Sequence, residues 1–183
     1  LFANEFSLPY QPVADIAVIS AMAYIIGALK PLLRVPFGVN VVKNPIATID
    51  LGAATGARFG RSCFSGAYMG EYGLYTSNSG EAIRHRKALG ATDMKLLFKV
   101  NPEADVYLVQ RDVKVVAKSI MFGDFADGLC VSGSAAGNEP DVWQFWPGAT
   151  SQEFAKAGVL ANVEEYFAKS KVIAKDHFSE SAL

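Results

Sequence analysis

Three basic residues stand where a basic side chain could bind an anion. They are Arg61, Lys99 and Lys156, and each lies in or just after a short apolar segment. A phosphorylated substrate needs positive charge of this kind, together with a carboxylate placed to act as a general base. The acidic residues in comparable positions are Glu5, Glu103 and Asp176. If the chain is catalytic, we expect the base to be one of these three.

Uncharged polar residues follow the same segments and complete the set of candidate ligand-binding residues. They are Asn40, Asn44 and Ser132. Side chains chosen by position alone usually prove to be solvated rim residues or members of internal ion pairs. That interpretation stays open beside the functional one.

The cysteines and histidines predict neither a metal site nor a cofactor. Cys63 and Cys130 lie far apart in apolar segments, without the spacing of a metal or redox motif. We expect two buried free thiols, as in a reducing compartment such as the cytoplasm, a mitochondrion or a plastid. His85 falls within a helical stretch and is expected on a helix face, whereas His177 follows Asp176 with no second histidine near it.

Short apolar segments alternate with longer helical stretches, which is the pattern of βα units and a parallel sheet. The clear strands are predicted at 36–42, 58–64, 94–100 and 128–132, and the helices before them at 14–33, 45–55, 80–89 and 106–122. Residues 1–3 resemble the end of another strand, and weaker strands at 152–155 and 171–174 flank a helix at 162–168. Seven strands are one fewer than a closed eight-stranded barrel contains. A doubly wound sheet is the competitor, but no GxGxxG turn supports its dinucleotide-binding form.

One long segment, 65–79, is predicted to be a loop. It contains Glu71 with Tyr68, Tyr72 and Tyr75. Long loops are often functional, so the segment is a candidate lid over the site. Aromatic loop residues pack equally well against a partner protein.

Composition indicates a single globular domain over residues 1–183. Hydrophobic residues make up 51% of the chain and charged residues 19%, and a chain of this length can bury a substantial core. The net charge of −1 gives no basic field for non-specific nucleic-acid binding. The longest uncharged apolar segment, 16–29, is shorter than the roughly 20 residues of a membrane span.

An ordered set of short motifs along the chain resembles the BtpA/SgcQ family. The motifs are NEFSLPY at 4–10, PFGVNVV at 36–42, NPIAT at 44–48, AATGARF at 53–59, GEAIRHR at 80–86, KLLF at 95–98, PEA at 102–104, LCVSG at 129–133, AGV at 157–159 and NVEE at 162–165. The resemblance implies an α/β fold of the TIM-type (β/α)₈ barrel class, entered near the end of its second strand, so that the first strand-helix unit is absent from this chain. One branch of that family is associated with photosystem I accumulation, and the other accompanies sugar-metabolism genes and is taken to be enzymatic.

Departures from the family pattern bear on activity. Relatives typically have Trp-Asp at 43–44 and Arg-Glu at 61–62, so two carboxylates are missing here, and a Gly-Thr-Thr-Phe-Lys type of turn is replaced at 175–179. One hypothesis is therefore a catalytically degenerate accessory or assembly subunit of a larger, organellar complex, whose other protein subunits cover the exposed sheet edges. The alternative is an enzyme acting on a small phosphorylated sugar or nucleoside.

Overall fold

A computed structural model describes residues 1–102 and 105–131 of the chain, all within one compact unit. In chain order the elements are β1 (Phe2–Asn4), α1 (Ile16–Leu29), β2 (Gly38–Asn40), α2 (Pro45–Thr55), β3 (Phe59–Ser62), β4 (Gly66–Gly70), β5 (Gly73–Ser77), α3 (Ser79–Ala88), β6 (Lys95–Lys99), β7 (Asp105–Tyr107), α4 (Val113–Gly123) and β8 (Gly128–Cys130). A 3₁₀ turn, Lys30–Leu32, extends α1. The strands and helices predicted between residues 152 and 174 lie outside the described residues.

Five strands form a parallel sheet in the order β1-β2-β3-β6-β8. Each parallel strand lies beside the previous one along the chain, and a helix joins every consecutive pair. A doubly wound sheet reverses its strand order at a switch point, whereas a barrel does not. The predicted α/β class with a parallel sheet is confirmed. In the part of the chain that the structure describes, the sheet is open, with β1 and β8 at its edges, so the closed barrel stays a prediction.

The helices cover one face of this sheet and form its core. Val39, Leu96 and Phe98 are at most 1% exposed and pack with apolar residues of the helices. Ile49 of α2 and Ile120 of α4 belong to one core cluster with Leu96 and Phe98. Apolar side chains at alternate strand positions point to one face of the sheet, and the connecting helices pack on that face.

On the face of the sheet opposite the helices, two aromatic rings lie on either side of a glycine. Phe2 and Phe59 stack with ring centroids 6.0 Å apart, and the register places Gly38 between them. A Cβ atom on Gly38 would lie 2.1 Å from the Phe59 ring. Position 38 requires glycine because the Phe59 ring occupies the space that a side chain at this position would need.

Residues 65–79 form a β-hairpin, so the prediction of a loop is wrong. Strands β4 and β5 pair in antiparallel fashion, with Glu71 and Tyr72 at the turn and Gly73 at a φ of 89°. Strand β7 adds to β4 on its other side. Alternating aromatic and polar residues in this segment are typical of strands, and Tyr68 and Tyr75 pack with Cys63 inside this small sheet.

The fourth helix begins later than predicted. Residues Asp105–Tyr107 form β7 rather than the first helical turn, because they pair with β4. Helix α4 starts at Val113, and the side chain of Asp112 accepts a hydrogen bond from Lys114 N at 2.8 Å. That cap fixes the start of the helix.

Two other expectations about single residues are confirmed. Cys63 and Cys130 are buried, and they form no disulfide bond. His85 lies on α3, where its Nε2 is 2.6 Å from the carboxylate of Asp50 on α2.

None of the helices in the described part of the chain is long and apolar enough to cross a membrane.

Candidate functional site

A cavity of about 210 Å³ lies at the carboxyl ends of the parallel strands. Its polar wall includes the last residues of four strands, which are Asn4, Asn40, Ser62 and Lys99. The small antiparallel sheet and the segments next to it supply further lining residues, which are Tyr72, Tyr75, Pro102 and Asp105. Tyr10, Val42, Lys43, Arg61 and Cys63 complete the lining. Ligand sites of parallel sheets lie at this edge, because the loops that follow the strands converge there.

Three strands place a polar row across the floor of this cavity. The Nδ2 atom of Asn40 donates to Oδ1 of Asn4 at 2.7 Å, and the two residues are register partners. Arg61 follows in the same row, one step beyond the Val39–Gly60 pair of β2 and β3. The guanidinium carbon of Arg61 lies 5.8 Å from the ring centroid of Phe2.

Lys99 lies on the same face as Arg61. The β3–β6 register pairs Arg61 with Leu97, two residues before Lys99, and side chains two positions apart along a strand point the same way. Both side chains line the cavity. A ligand there faces a guanidinium and an ammonium from neighbouring strands.

A buried ion pair also lines the cavity. The Nζ atom of Lys43 is 2.8 Å from Oδ1 of Asp105, and each side chain is 6% exposed. The same ammonium lies 4.7 Å from the ring centroid of Tyr72 and 4.9 Å from that of Tyr75. Tyr75 donates a hydrogen bond from its hydroxyl to the other carboxylate oxygen of Asp105 at 3.4 Å.

Two tyrosines that line the cavity, Tyr75 and Tyr10, are neutral hydrogen-bond donors. Burial raises the pKa of Tyr75 well above its ordinary value, and neighbouring Cys63 and Asp105 raise it further. Burial also raises the pKa of Tyr10, and Glu5 adds to the effect. A phenol with a raised pKa keeps its proton at neutral pH, so neither residue is a base there.

Of the predicted site residues that the structure describes, Asn40, Arg61 and Lys99 meet at the cavity. Glu5 and Asn44 lie next to it without lining it. Glu5 is 5% exposed, and its carboxylate accepts hydrogen bonds from Val42 N at 2.7 Å and from the Ser7 hydroxyl.

Asn44 holds two segments together at the start of α2. Its Oδ1 atom accepts from Ala14 N at 2.8 Å, and its Nδ2 donates to the carbonyl of Val42 at 2.8 Å. The amide thereby joins the segment before α1 to the turn after β2. Position 44, where relatives typically have Asp, is therefore a structural junction next to the cavity.

Four predicted site residues lie outside the described residues. They are Glu103, Ser132, Lys156 and Asp176. Their roles stay predictions.

No local sequence pattern predicts the Lys43–Asp105 pair. The two residues are 62 positions apart, and the antiparallel pairing of β7 with β4 positions Asp105. Lys43 adopts a left-handed φ of 59°, which few non-glycine residues adopt. Only the alternating pattern of the hairpin and β7 could have suggested that Asp105 lies near this edge.

Most of the charged side chains among the described lining residues of the cavity are cationic. Three cationic side chains line it, Lys43, Arg61 and Lys99, against one carboxylate among the described lining residues, Asp105. Across residues 1–102 and 105–131, no three His, Cys, Asp or Glu side chains come close enough together to hold a metal ion.

Comparisons with known proteins identify relatives over most of the chain. The model of the BtpA family matches residues 1–168. The sgc region protein SgcQ of Escherichia coli strain K12 is 49% identical over 141 residues, which cover 77% of this chain and 53% of that protein. The photosystem I biogenesis protein BtpA of Synechocystis is 29% identical over 142 residues, covering 76% of this chain and 49% of that protein.

An uncharacterized protein of Thermococcus kodakarensis is 28% identical over 153 residues, covering 76% of this chain and 53% of its own length. The chain thus spans about half the length of the curated relatives it matches. No solved structure matches it significantly.

Proposed function

The chain belongs to the BtpA family, and from that premise we propose that it binds a small phosphorylated sugar or nucleoside at the carboxyl edge of its parallel sheet. The observation that carries the proposal is the meeting of Arg61 and Lys99 in one cavity with the amides of Asn4 and Asn40. A phosphate group is recognised by such a set, since guanidinium and ammonium groups make short, charge-assisted hydrogen bonds to its oxygens.

We further propose that the described sheet is part of a TIM-type barrel. The strand order without reversal supports this fold, as does the placement of all packed helices on one face. In such barrels the chemistry occurs at the carboxyl ends of the strands. The cavity would then lie at the mouth, where the proposed ligand is expected.

The proposal covers binding and leaves room for catalysis. The sequence suggested a degenerate site because carboxylates typical of relatives are absent at positions 44 and 62. Asp105 supplies a carboxylate to the same cavity from a different element. In the enzyme alternative, we propose that this carboxylate acts as the general base.

The test is the binding of phosphate compounds to the purified chain and to two arginine variants. Ligand at about 100 times its dissociation constant should raise the free energy of unfolding by roughly 2.7 kcal/mol. We expect Arg61→Ala to lose this stabilisation. The control is Arg58→Ala, an exposed arginine just before the amino end of the same strand, which should keep it. Absence of stabilisation by every phosphate compound, or full stabilisation of Arg61→Ala, overturns the proposal.

A second candidate function, an accessory or assembly subunit, is favoured by an apolar surface around α1. Ile16, Tyr24 and Val13 are 82%, 80% and 77% exposed. Large apolar side chains that are exposed in this way are candidates for an interaction surface. The relative from Synechocystis is named for photosystem I biogenesis, and we propose a comparable protein-binding role for this chain.

Site-specific crosslinking tests the second candidate. A photoreactive residue at Ile16 should link the chain to one defined protein in an extract of its own cells. The same residue at Lys87, an exposed position on α3, should not. The candidate fails if both positions give the same pattern or none.

A further inference from the structure

We infer that the chain associates with a second copy of itself through the outer face of its small antiparallel sheet. The outer face is the side of β4, β5 and β7 that is turned away from Cys63 and the cavity. The proposed dimer requires neither the ligand of the cavity nor the surface around α1. Three properties of the outer face support it, which are its residue types, its exposure and the arrangement of its side chains in two rows.

The outer face is apolar, although the inner face is the side that packs within the protein. Side chains alternate between the two faces along each strand. Tyr68 and Tyr75 point inward, where they pack with Cys63. The outward residues of the three strands are Ala67, Met69, Leu74, Thr76 and Val106, and Leu108 continues the pattern just after β7. An antiparallel sheet with one face in water usually has polar side chains on that face, so these residue types indicate a contact surface.

The large apolar side chains of the outer face are exposed and adjacent. Met69, Leu74 and Val106 are 50%, 52% and 58% exposed. Met69 is the register partner of both Leu74 and Val106, and the Cβ atoms of such partners lie about 4.5 to 5.5 Å apart. Single exposed apolar residues are common on protein surfaces. A cross-strand row of three is a continuous apolar surface, and such surfaces mark interaction sites.

The two rows of the outer face are complementary in size. Leu74, Met69 and Val106 form the first row. The second row contains Thr76, Ala67 and Leu108, whose N–H bonds to the Ala67 carbonyl at 3.1 Å. A two-fold axis that crosses the strands between the rows places the first row of each copy over the second row of the other. Met69 then lies over alanine, Leu74 over threonine and Val106 over leucine, so a larger side chain meets a smaller one in each pair, as in a well-packed core.

The charge of the outer face also suits contact between identical copies. In a two-fold contact the same patch meets itself, so a charged side chain near the axis would face a like charge. The six outward residues are all uncharged. A face that binds a protein of different sequence has no such restriction, because its partner can supply the opposite charge. The composition of the face therefore favours a second copy of this chain as its occupant.

The size of the outer face predicts a weak dimer. Three strands about 4.8 Å apart, of which the longest have five residues, cover a footprint of about 14 by 17 Å. A standard interface buries about 800 Å² on each partner, and smaller ones belong to weak, transient complexes. The copies are therefore expected to exchange between monomer and dimer as concentration changes.

Sedimentation equilibrium of the purified chain from about 1 µM to about 1 mM tests the dimer. We expect the fraction of dimer to rise across this range, and Met69→Lys to weaken association at least tenfold. Leu74→Lys, in the same row, should have the same effect. The matched control is Ile16→Lys, which changes a more exposed apolar residue on α1 and should leave association unchanged. Unchanged association of Met69→Lys, or its loss in Ile16→Lys alone, overturns the inference.

A mixture of two charge variants distinguishes a contact between copies from misfolding. Met69→Lys and Met69→Glu should each be monomeric, because each places like charges near the two-fold axis. An equimolar mixture of the two should form a dimer at least tenfold tighter than either variant alone. Restored association also shows that both variants fold. If the mixture stays monomeric, the contact does not join two copies of this face, and the inference is overturned.

Two other occupants of the outer face would give different results. A face covered by another segment of the same chain leaves the parent chain monomeric at about 1 mM, and Met69→Lys then lowers its free energy of unfolding. A face that binds a different protein also leaves the parent chain monomeric, but Met69→Lys does not alter its stability. Either result overturns the proposed dimer and identifies which occupant replaces it.

Discussion

Lys43 and Asp105 place two charged groups where only 6% of each side chain is exposed. Removing two charges from water costs several kcal/mol, and their attraction must offset that cost. The rings of Tyr72 and Tyr75 lie within cation–π distance of the ammonium. The ammonium of Lys43 therefore contacts two aromatic rings in addition to the carboxylate. Each charged group of the pair depends on the other to offset its loss of hydration.

Loss of one partner should cost more than loss of both. We predict that Lys43→Met lowers the free energy of unfolding by about 3 to 5 kcal/mol, because it leaves a buried carboxylate without a counter-charge. The double variant Lys43→Met/Asp105→Leu should recover a large part of that loss. Urea unfolding of both variants measures it, with Lys87→Met at an exposed position of α3 as the control. A double variant as unstable as the sum of its single variants would contradict this account of the pair.

Among single residues, the location at the cavity could be predicted from sequence for some and not for others. Asn40, Arg61 and Lys99 were identified because each stands at the end of an apolar segment, and parallel strands bring such ends together. Glu5 had the same signature, yet it holds the backbone N–H of Val42. Position along the chain locates a residue near an edge, but the direction of its side chain depends on neighbours from distant segments.

Two glycines of the helices should respond to the same substitution with opposite signs. Gly56 ends α2 at a φ of 77°, and Gly27 lies inside α1 with nothing within 4 Å of an added Cβ. We predict that Gly56→Ala destabilises the chain by about 1 to 2 kcal/mol, because a side chain disfavours the left-handed conformation. Gly27→Ala should stabilise it by about 0.5 to 1 kcal/mol through helix propensity.

Urea midpoints of the two glycine variants give the comparison directly. The two changes add the same methyl group, so differences in the unfolded chain largely cancel. Equal effects of the two substitutions would refute the role given to the left-handed conformation at Gly56.

The small antiparallel sheet should make the chain sensitive to alkali. Burial raises the pKa of Tyr68 and of Tyr75 above the ordinary value near 10. Above that pH the folded state retains protons that the unfolded state releases, so stability falls as pH rises. Below that pH the full contribution of the two tyrosines to the free energy of unfolding is present. We predict a decline of up to about 1.4 kcal/mol per pH unit for each tyrosine.

Tyr68→Phe should make this decline shallower. The variant removes one titrating group, and it also loses hydrogen bonds to the Ser65 carbonyl and to Tyr107. It is therefore expected to be about 1 kcal/mol less stable at neutral pH while losing less stability from pH 10 to 11.5. Tyr24→Phe on the exposed face of α1 is the control. An identical slope in Tyr68→Phe and the parent chain would exclude the proposed linkage.

The elements themselves were predictable where local pattern decides them. The five parallel strands and α2 lie within or at the predicted segments, since apolar runs and helix-ending glycines are local signals. Strand β7 was missed because its pairing with β4 joins residues 35 to 39 positions apart. The hairpin pairs locally, and its alternating pattern could have predicted it. Such pairing is decided by side chains that meet only in the folded chain, such as Tyr68 and Tyr107.

At the scale of the whole molecule, the two ends of the parallel sheet have different polar groups. The carboxyl end has the cavity, whereas the amino end has a network around Asp127. Its carboxylate accepts hydrogen bonds from Arg86 of α3 at 2.5 Å and from Leu96 N of β6 at 2.9 Å, just before β8 begins. One carboxylate thus joins α3, β6 and the start of β8. Barrel-like folds commonly separate stability and chemistry between these two ends.

We predict that variants at the two ends separate stability from ligand binding. Asp127→Ala should lower the free energy of unfolding by about 2 to 3 kcal/mol, because it removes hydrogen bonds from a guanidinium and a buried backbone N–H. Its affinity for the phosphorylated ligand should not change at temperatures where it stays folded. Lys99→Ala should change stability by less than about 1 kcal/mol and weaken ligand binding at least tenfold. Urea unfolding and calorimetric titration of both variants under one buffer condition measure the four quantities. Weakened binding in folded Asp127→Ala, or unchanged binding in Lys99→Ala, would show that the cavity and the amino-end network do not divide the two roles.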